Sequence, residues 1–336
     1  MGTAGFGHKV YVGLGEEATY GTPVTRTKFL DINSESLSLS HERVISGSLN
    51  QIGTRYLRVA NGLFRIAGDV TFDVPYYDWE FILKHALGAV ATTGPADFAY
   101  THSFRITDAL PTGLTVEIYR DSESFLGADD DVAFIYEGCK VNSLSLSAAI
   151  GAYLSATVSF VGEDENRSAR TVAATVNTDL NATRDLIVFT EGSLSYDNFT
   201  TNVESFELTI NNNLNADRFR IGSRLTREPV RGGKIEISGS FVADFDGFAR
   251  YNEFRNSTTK QLVLTFTGGN VPSSGTAQSL TITLPHILPT NVDLNVDDTG
   301  IITQTIPFTA LRDPSQAAAI NQTELRAVLV NEISSI

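Results

Sequence analysis

Cysteine is nearly missing from this chain. Cys139 is the only one in 336 residues, which excludes an internal disulfide and any cysteine-rich zinc cage. Set in the strand-like run YEGCKVNSLSLS, it reads as a small buried hydrophobe. Long apolar stretches are missing too: none approaches the roughly 18 residues that a membrane span requires. The opening MGTAGFGHKVYVGLGEE has neither the basic segment nor the uninterrupted apolar core of a signal peptide, so the expectation is a chain made and kept in a cytoplasm. Basic charge is also short. With 25 Lys and Arg against 39 Asp and Glu, the net charge is −14. A conventional nucleic-acid binder needs a basic footprint to displace counterions, so that class is disfavoured. The same charge suits a surface that repels DNA.

Catalytic and cofactor motifs are absent as well. GLGEE, from Gly13, lacks the third glycine and the Lys-Ser/Thr ending of a phosphate loop, and no clear helix follows it. There is no G-x-S-x-G, and histidines 8, 41, 85, 102 and 286 lack metal-ligand spacing. His85, on the polar side of a helix pattern, reads as a solvated or interface residue. DLNVDDTG (293–300) places Asp293, Asn295 and Asp297 like a calcium loop. However, it has Asp298 where glycine is needed and Gln304 where the bidentate glutamate belongs, so it reads as a strand ending in an acidic turn. Asp129, Asp130 and Asp131 read as an exposed acidic loop. No carboxylate pair stands out for glycoside hydrolysis. The expectation is no enzyme, no cofactor and no metal.

What is present is β patterning. A content of 42% hydrophobic and 19% charged residues fits a folded chain with a sizeable core, and its length favours about two domains. ESLSLS (35–40), VTFDV (70–74), TVEIY (115–119), NSLSLS (142–147), SFELTI (205–210), LVLTF (262–266) and LTITL (280–284) alternate apolar and polar residues, so one strand face packs and the other meets water or a partner. The period changes to helical in YYDWEFILKHALG, through Trp79, Ile82, Leu83, Ala86 and Leu87. It changes again in FDGFARYNEFRNST, through Phe248, Tyr251 and Phe254.

The pattern also repeats. Ile52, Gly53 and Arg55 match Ile221, Gly222 and Arg224 at an offset of 169 (221 − 52). Glu35, Ser36 and Leu39 match Glu204, Ser205 and Leu208 at the same offset. Ile66 and Gly68 match Ile237 and Gly239 at 171 (237 − 66), and Leu114, Val116, Ile118, Thr157 and Phe160 match Leu262, Leu264, Phe266, Thr305 and Phe308 at 148 (262 − 114). An ordered set of matches reads as a tandem duplication. The expected organisation is an N-terminal arm (1–27), a first domain (28–162), a polar linker (163–185), a second domain (186–312) and a C-terminal helix or arm (313–336). Asp313 is the expected N-cap of that last helix, with Pro314 in its first turn.

GLGEEATYGTPV, a strand carrying Glu35-Ser36, then GTR and a turn into a helix resemble the major tail tube proteins of long-tailed phages; Gly15, Glu17, Tyr20, Gly21 and Thr22 carry the opening match. The resemblance implies a mainly β fold: two tandem tail-tube-type β-sandwich domains, each with one flanking α-helix. It also implies a virion location in the tail, where rings of about six domains stack into a conduit for DNA during ejection. Two domains per chain then imply a homotrimer with pseudo-sixfold symmetry. Four lining strands per domain give about 24, and at about 4.8 Å spacing and about 40° tilt the backbone diameter is about 48 Å. With about 5 Å of side chain per wall removed, a bore near 38 Å remains, wide enough for B-DNA. The implied partners are other copies of the chain, tape measure and tail terminator or tip proteins, and phage DNA passing without specific binding; no membrane is involved. An acidic or neutral lining lets DNA slide, so arginines are expected at subunit or ring interfaces: Arg43, Arg55 and Arg58 in the first repeat, and Arg218, Arg220, Arg224 and Arg227 in the second. The alternative is a carbohydrate-binding or adhesive β-sandwich module of a tail tip or fibre. That module needs exposed aromatic platforms, whereas the sole tryptophan, Trp79, sits in a helix pattern.

Overall fold

The computed structural model describes residues 7, 10–48, 56, 58–120, 132–169, 171, 185–272, 274–292, 301–313, 323–334 and 336. The first half carries β1 (Tyr11–Glu16), β2 (Lys28–Leu30), β3 (Ser34–Glu35), β4 (Ser38–Ile45), β5 (Val59–Asp73), α1 (Glu80–Leu87), β6 (Gly88–Ala96), β7 (Ala99–Ile106), β8 (Leu114–Tyr119), β9 (Val132–Ala149), β10 (Ser155–Gly162) and β11 (Asp164–Ala169). The second carries β12 (Gly192–Tyr196), β13 (Phe199–Thr201), β14 (Val203–Asn211), β15 (Leu214–Asn215), β16 (Val230–Arg231), β17 (Glu236–Asp244), α2 (Ala249–Arg255), β18 (Lys260–Asn270), β19 (Ala277–Pro289), β20 (Thr303–Leu311) and β21 (Arg326–Asn331). The fold is mainly β, as the alternating segments imply.

Among the described residues all strand pairs are antiparallel. In the first half one run is β2–β1–β8–β9–β11 and the other is β4–β5–β10–β9, with β3 beside β5. In the second half the runs are β13–β12–β18–β19–β21 and β14–β17–β20–β19. Among the described residues two strand pairings connect the halves, β9 with β14 from Ser143↔Asn211 to Ala149↔Ser205 and β7 with β21, along with single bridges Pro75↔Leu186 and Tyr153↔Val188. β9 serves both runs of its half by bending. Its register against β10 skips Asn142, a β-bulge that re-aims one residue out of the ladder. The freed Asn142 accepts Asn212 N–H at its carbonyl (2.8 Å) and Leu214 N–H at its side chain (3.0 Å).

Alternation explains the packing. Ala156, Val158 and Phe160 of β10 point into the core, as do Phe206, Leu208 and Ile210 of β14, and one cluster of buried side chains runs through both halves. Phe308 lies 6.3 Å from both Phe206 and Phe241, ring centre to ring centre. In α1 the helical set Trp79, Ile82, Leu83, Ala86 and Leu87 is buried, and Gly88 ends the helix at φ 117, where a side chain would be strained.

Several expectations are corrected. The segment expected as an N-terminal arm contains β1, whose Val12 and Leu14 are buried between β2 and β8. The first part of the expected linker forms β11, because its backbone groups complete the edge of β9. Of the expected C-terminal helix, residues 314–322 lie outside the described residues. Arg326–Asn331 is a strand, its Ala327 and Leu329 buried at period two. His85 is not solvated: it is buried, its Nε2 lies 3.4 Å from Glu16 Oε1, and burial pushes its pKa down. The 169 offset for Glu35, Ser36 and Leu39 shifts by one pleat. Leu39 lies opposite Ile66 while Ile210 lies opposite Ile237, so the strands correspond at 171. Asp129–Asp131 and 293–300 lie outside the described residues.

Candidate functional site

Opposite the core, β3/β4, β5, β10, β9, β14, β17, β20 and β19 form an unbroken run eight strands wide, and its other face is rich in hydroxyls interspersed with carboxylates, with Pro307 and Leu288 at the β20–β19 end. One rung is continuous through the registers: Ser34, Thr71, Thr157, Ser145, Thr209, Ser238 and Thr309. Thr71 and Thr157 share a hydroxyl hydrogen bond of 3.1 Å, and Ser145 and Thr209 one of 2.9 Å, the latter across the joint between halves. The rung beside it reads Asp69, Ser159, Ser143, Asn211 and Glu236, and that on the other side Asp73, Ser155, Ser147, Glu207 and Ser240. From Arg65 onward on β5 and across β10, β9, β14, β17 and β20, the described carboxylates of this face are Asp69, Asp73, Glu207, Glu236 and Asp244; the guanidinium is Arg65. Short hydroxyls tie to one another and present little that grips a ligand, while the acids repel polyanions. The described cations of this face are paired: Arg65 pairs with Asp217 and lies 4.9 Å from the centre of the Phe219 ring, and Lys140, opposite Val161, pairs with Glu228 at 2.6 Å.

Two glycines keep this sheet tight. Gly68 lies opposite Phe160 on β10, and Gly239 lies opposite Phe308 on β20. A Cβ on Gly239 meets the Glu207 carbonyl oxygen at 2.3 Å and Phe308 Cζ at 2.6 Å; one on Gly68 meets Leu37 Cα at 2.4 Å.

The described arginines among those predicted sit on separate segments, Arg43 on β4, Arg58 before β5 and the rest between β15 and β16. Arg43 is exposed on β4 opposite Asn61, and Arg58 is exposed, its carbonyl accepting Ser46 N–H at 3.0 Å. Arg55 lies outside the described residues. The second loop's arginines hold the chain to itself. Arg218 donates to the Glu228 carbonyl, Arg220 to the Phe219 carbonyl (2.8 Å), and Arg227 N–H to the Arg218 carbonyl (3.3 Å). Arg224 stacks 4.4 Å over Phe64 of the first half, and its carbonyl accepts Phe64 N–H at 3.0 Å. Sequence reasoning missed Arg65 and the hydroxyl face. The signal was in plain view as the serines of ESLSLS and NSLSLS.

The opening motif has a structural task. Glu17 is 2% exposed; its carboxylate accepts Gly21 N–H (2.9 Å), Gly138 N–H (2.9 Å) and the Thr115 hydroxyl (3.0 Å), pinning the turn after β1 to β8 and β9. Gly21 adopts φ 70, and a Cβ there lands 1.9 Å from Glu163 Oε2. A Cβ on Gly15 meets the Thr25 carbonyl oxygen at 2.7 Å.

A family model described as phage tail tube protein matches residues 7–310. The chain belongs to the phage tail tube protein family. The family is structural, is located in the virion tail and implies self-assembly into a tube. No curated protein matches. Trp79, the platform that an adhesive module needs, is completely buried, and among the described residues no helix is long and apolar enough to cross a membrane.

Proposed function

We propose that three copies of this tail tube subunit close into a ring whose bore is the hydroxyl and carboxylate face, and that rings stack into the conduit for DNA ejection. The observation that carries the reading is the unbroken eight-strand run. Three such runs supply 24 strands (3 × 8), and at about 4.8 Å spacing and about 40° tilt they close at about 48 Å backbone diameter. Open sheet edges become the assembly mechanism, because closure leaves none.

The tandem repeat read from sequence fits this ring. Seven pairings in the first half, β1–β2, β1–β8, β8–β9, β9–β11, β9–β10, β10–β5 and β5–β4, have counterparts in the second, β12–β13, β12–β18, β18–β19, β19–β21, β19–β20, β20–β17 and β17–β14, whereas β3–β5 and β6–β7 have none among the described residues. The units 28–162 and 186–312 then extend outward to take in β1 and β11 in the first and β21 in the second. Inside the chain, Arg224 fastens one unit to the next. Arg55, its match at 169, is assigned the same task between copies, with Arg43 and Arg58 beside it. Tape measure and terminator or tip proteins occupy the bore and the tube ends, and phage DNA passes without specific binding.

Native mass spectrometry and negative-stain microscopy test this. Rings of three chains are expected; rings of six full-length chains, or dispersed monomers at high concentration, overturn it.

A further inference from the structure

The two helices begin alike and end up in different surroundings. The residues preceding them, Trp79 (φ −99, ψ 6) and Phe248 (φ −86, ψ 7), share one backbone conformation. Yet Trp79 is 0% exposed and Phe248 65%; one turn on, Ile82 is 1% exposed and Tyr251 40%. Phe245 packs edge-on against Phe248 at 5.5 Å, and its N–H donates to Ile302, beside the exposed Ile301, so α2 heads an apolar surface patch.

What seals α1 is known in detail. The β6–β7 hairpin covers it, and β7 is in turn paired to β21 of the other half. From β21 the buried Asn331 donates to Glu80 Oε1 of α1 (2.6 Å) and to the Tyr76 carbonyl (2.9 Å), and its Oδ1 lies 3.0 Å from His102 Nε2. The second half has only residues 256–259 between α2 and β18, so it has no hairpin to lay over its helix. The strand corresponding to β21 is β11, and among the described residues β11 pairs only with β9. Among the described residues, then, one helix lacks its cover and one strand edge lacks its neighbour. Within the chain, the joint through β9 and β14 brings β21 beside α1.

We infer that the joint between copies repeats this placement, so that the apolar face of α2 in one chain is covered by the β11 edge of a second copy. This rests on the ring reading above. Apolar area is then withdrawn from water at the ring joint, and charges on Asp164, Glu165 and Arg167 keep the β11 edge from pairing wrongly before assembly.

The test uses full-length protein and runs wild type alongside. Phe248→Asp is expected to abolish rings while leaving the circular dichroism of the chain unchanged, because Phe248 is exposed. The pair Tyr251→Cys with Arg167→Cys, treated with a short bismaleimide, is expected to give covalent dimers and trimers on a denaturing gel, and either single variant none; Cys139 is fully buried and stays out of the reaction. Rings formed normally by Phe248→Asp overturn the inference. Rings lost in Phe248→Asp while the double-cysteine protein assembles without cross-linking overturn the assignment to β11. Absence of rings in the wild type itself rejects the ring reading instead.

Discussion

Glu207→Lys places a cation in the middle of the proposed bore. Glu207 is exposed and its cross-strand neighbours on the two sides are the short Ser147 and Ser240, so the fold tolerates lysine. In a three-chain ring the substitution adds three phosphate contacts at one level. Each contact adds about 0.9 to the slope of log affinity against log salt, hence about 2.7 in all, or about 40-fold between 50 and 200 mM. Wild-type tubes are expected to retain no DNA at either salt. Glu207→Lys tubes should retain it at 50 mM and release it steeply by 200 mM, and virions carrying the variant should eject more slowly at low salt. Filter retention of labelled duplex by purified tubes measures the first, and single-particle ejection the second. If lysine tubes form normally and neither retain DNA nor slow ejection at 50 mM, this face does not line the conduit.

Gly239→Ala and Gly68→Ala force a methyl against backbone atoms at 2.3 to 2.4 Å; each is expected to cost about 3 kcal/mol, and a wild-type melting temperature for either sinks the close-approach argument. Asn331→Ala leaves the Tyr76 carbonyl and buried Glu80 without the amide that serves them, a loss of about 3 kcal/mol or more, read by chemical denaturation. Burial, then the neighbouring Asp164, Glu17 and Glu137, raise the Glu163 carboxyl from 4.5 to about 6. The folded chain therefore holds this proton more tightly than the unfolded one, and that stability, complete below about pH 4.5, is lost as pH rises through about 6. Glu163→Gln should melt higher than wild type at pH 8, with the difference closing near pH 5; an equal gain at both values refutes the titration.

Much of the fold was legible because burial on one face writes a period-two pattern into each strand. The segments at 35–40, 70–74, 142–147 and 205–210 became strands of the eight-strand run, and their serines and threonines became its polar face. What escaped had a common cause: it depended on partners far away in sequence. Nothing local in YVGLGE says that β1 is sandwiched by β2 and β8, and nothing in DENRSA says that it completes the edge of β9. RAVLVN fits a helix as well as a strand because short apolar runs suit both periods; pairing with β7 and β19 decides for the strand. The burial of His85 is not legible because helical spacing identifies the apolar stripe but not what packs on the other side, where Glu16 at the end of β1 lies 3.4 Å away.

On the reading proposed above, joining two units in one chain changes what each is able to do. In a ring of identical single units every joint is the same, so any new contact appears six times. Once joined, the two joints diverge independently. At the joint inside the chain, the hairpin, β21 and the Arg224–Phe64 stack are supplied in fixed proportion and form during folding. The position matching Arg65 at the strand offset of 171 is Glu236, an inversion of charge on the polar face (65 + 171 = 236). A loop carrying Asp217 fits Arg65 and is repelled by Glu236, whereas the first unit's loop, with Arg55 and Arg58 and no acid from 46 to 58, fits the reverse. In the proposed ring, opposite charges at matching places would favour alternation of the two units over pairing of like with like, since juxtaposed like charges are penalised. Arg65→Glu combined with Glu236→Arg exchanges the two sites. The exchanged protein should remain a folded monomer and lose ring closure, with partial recovery when Asp217→Arg restores the pair inside the chain. Normal rings from the exchanged protein, seen by native mass spectrometry, mean that alternation is set by covalent connection and strand edges alone, with no part played by these charges.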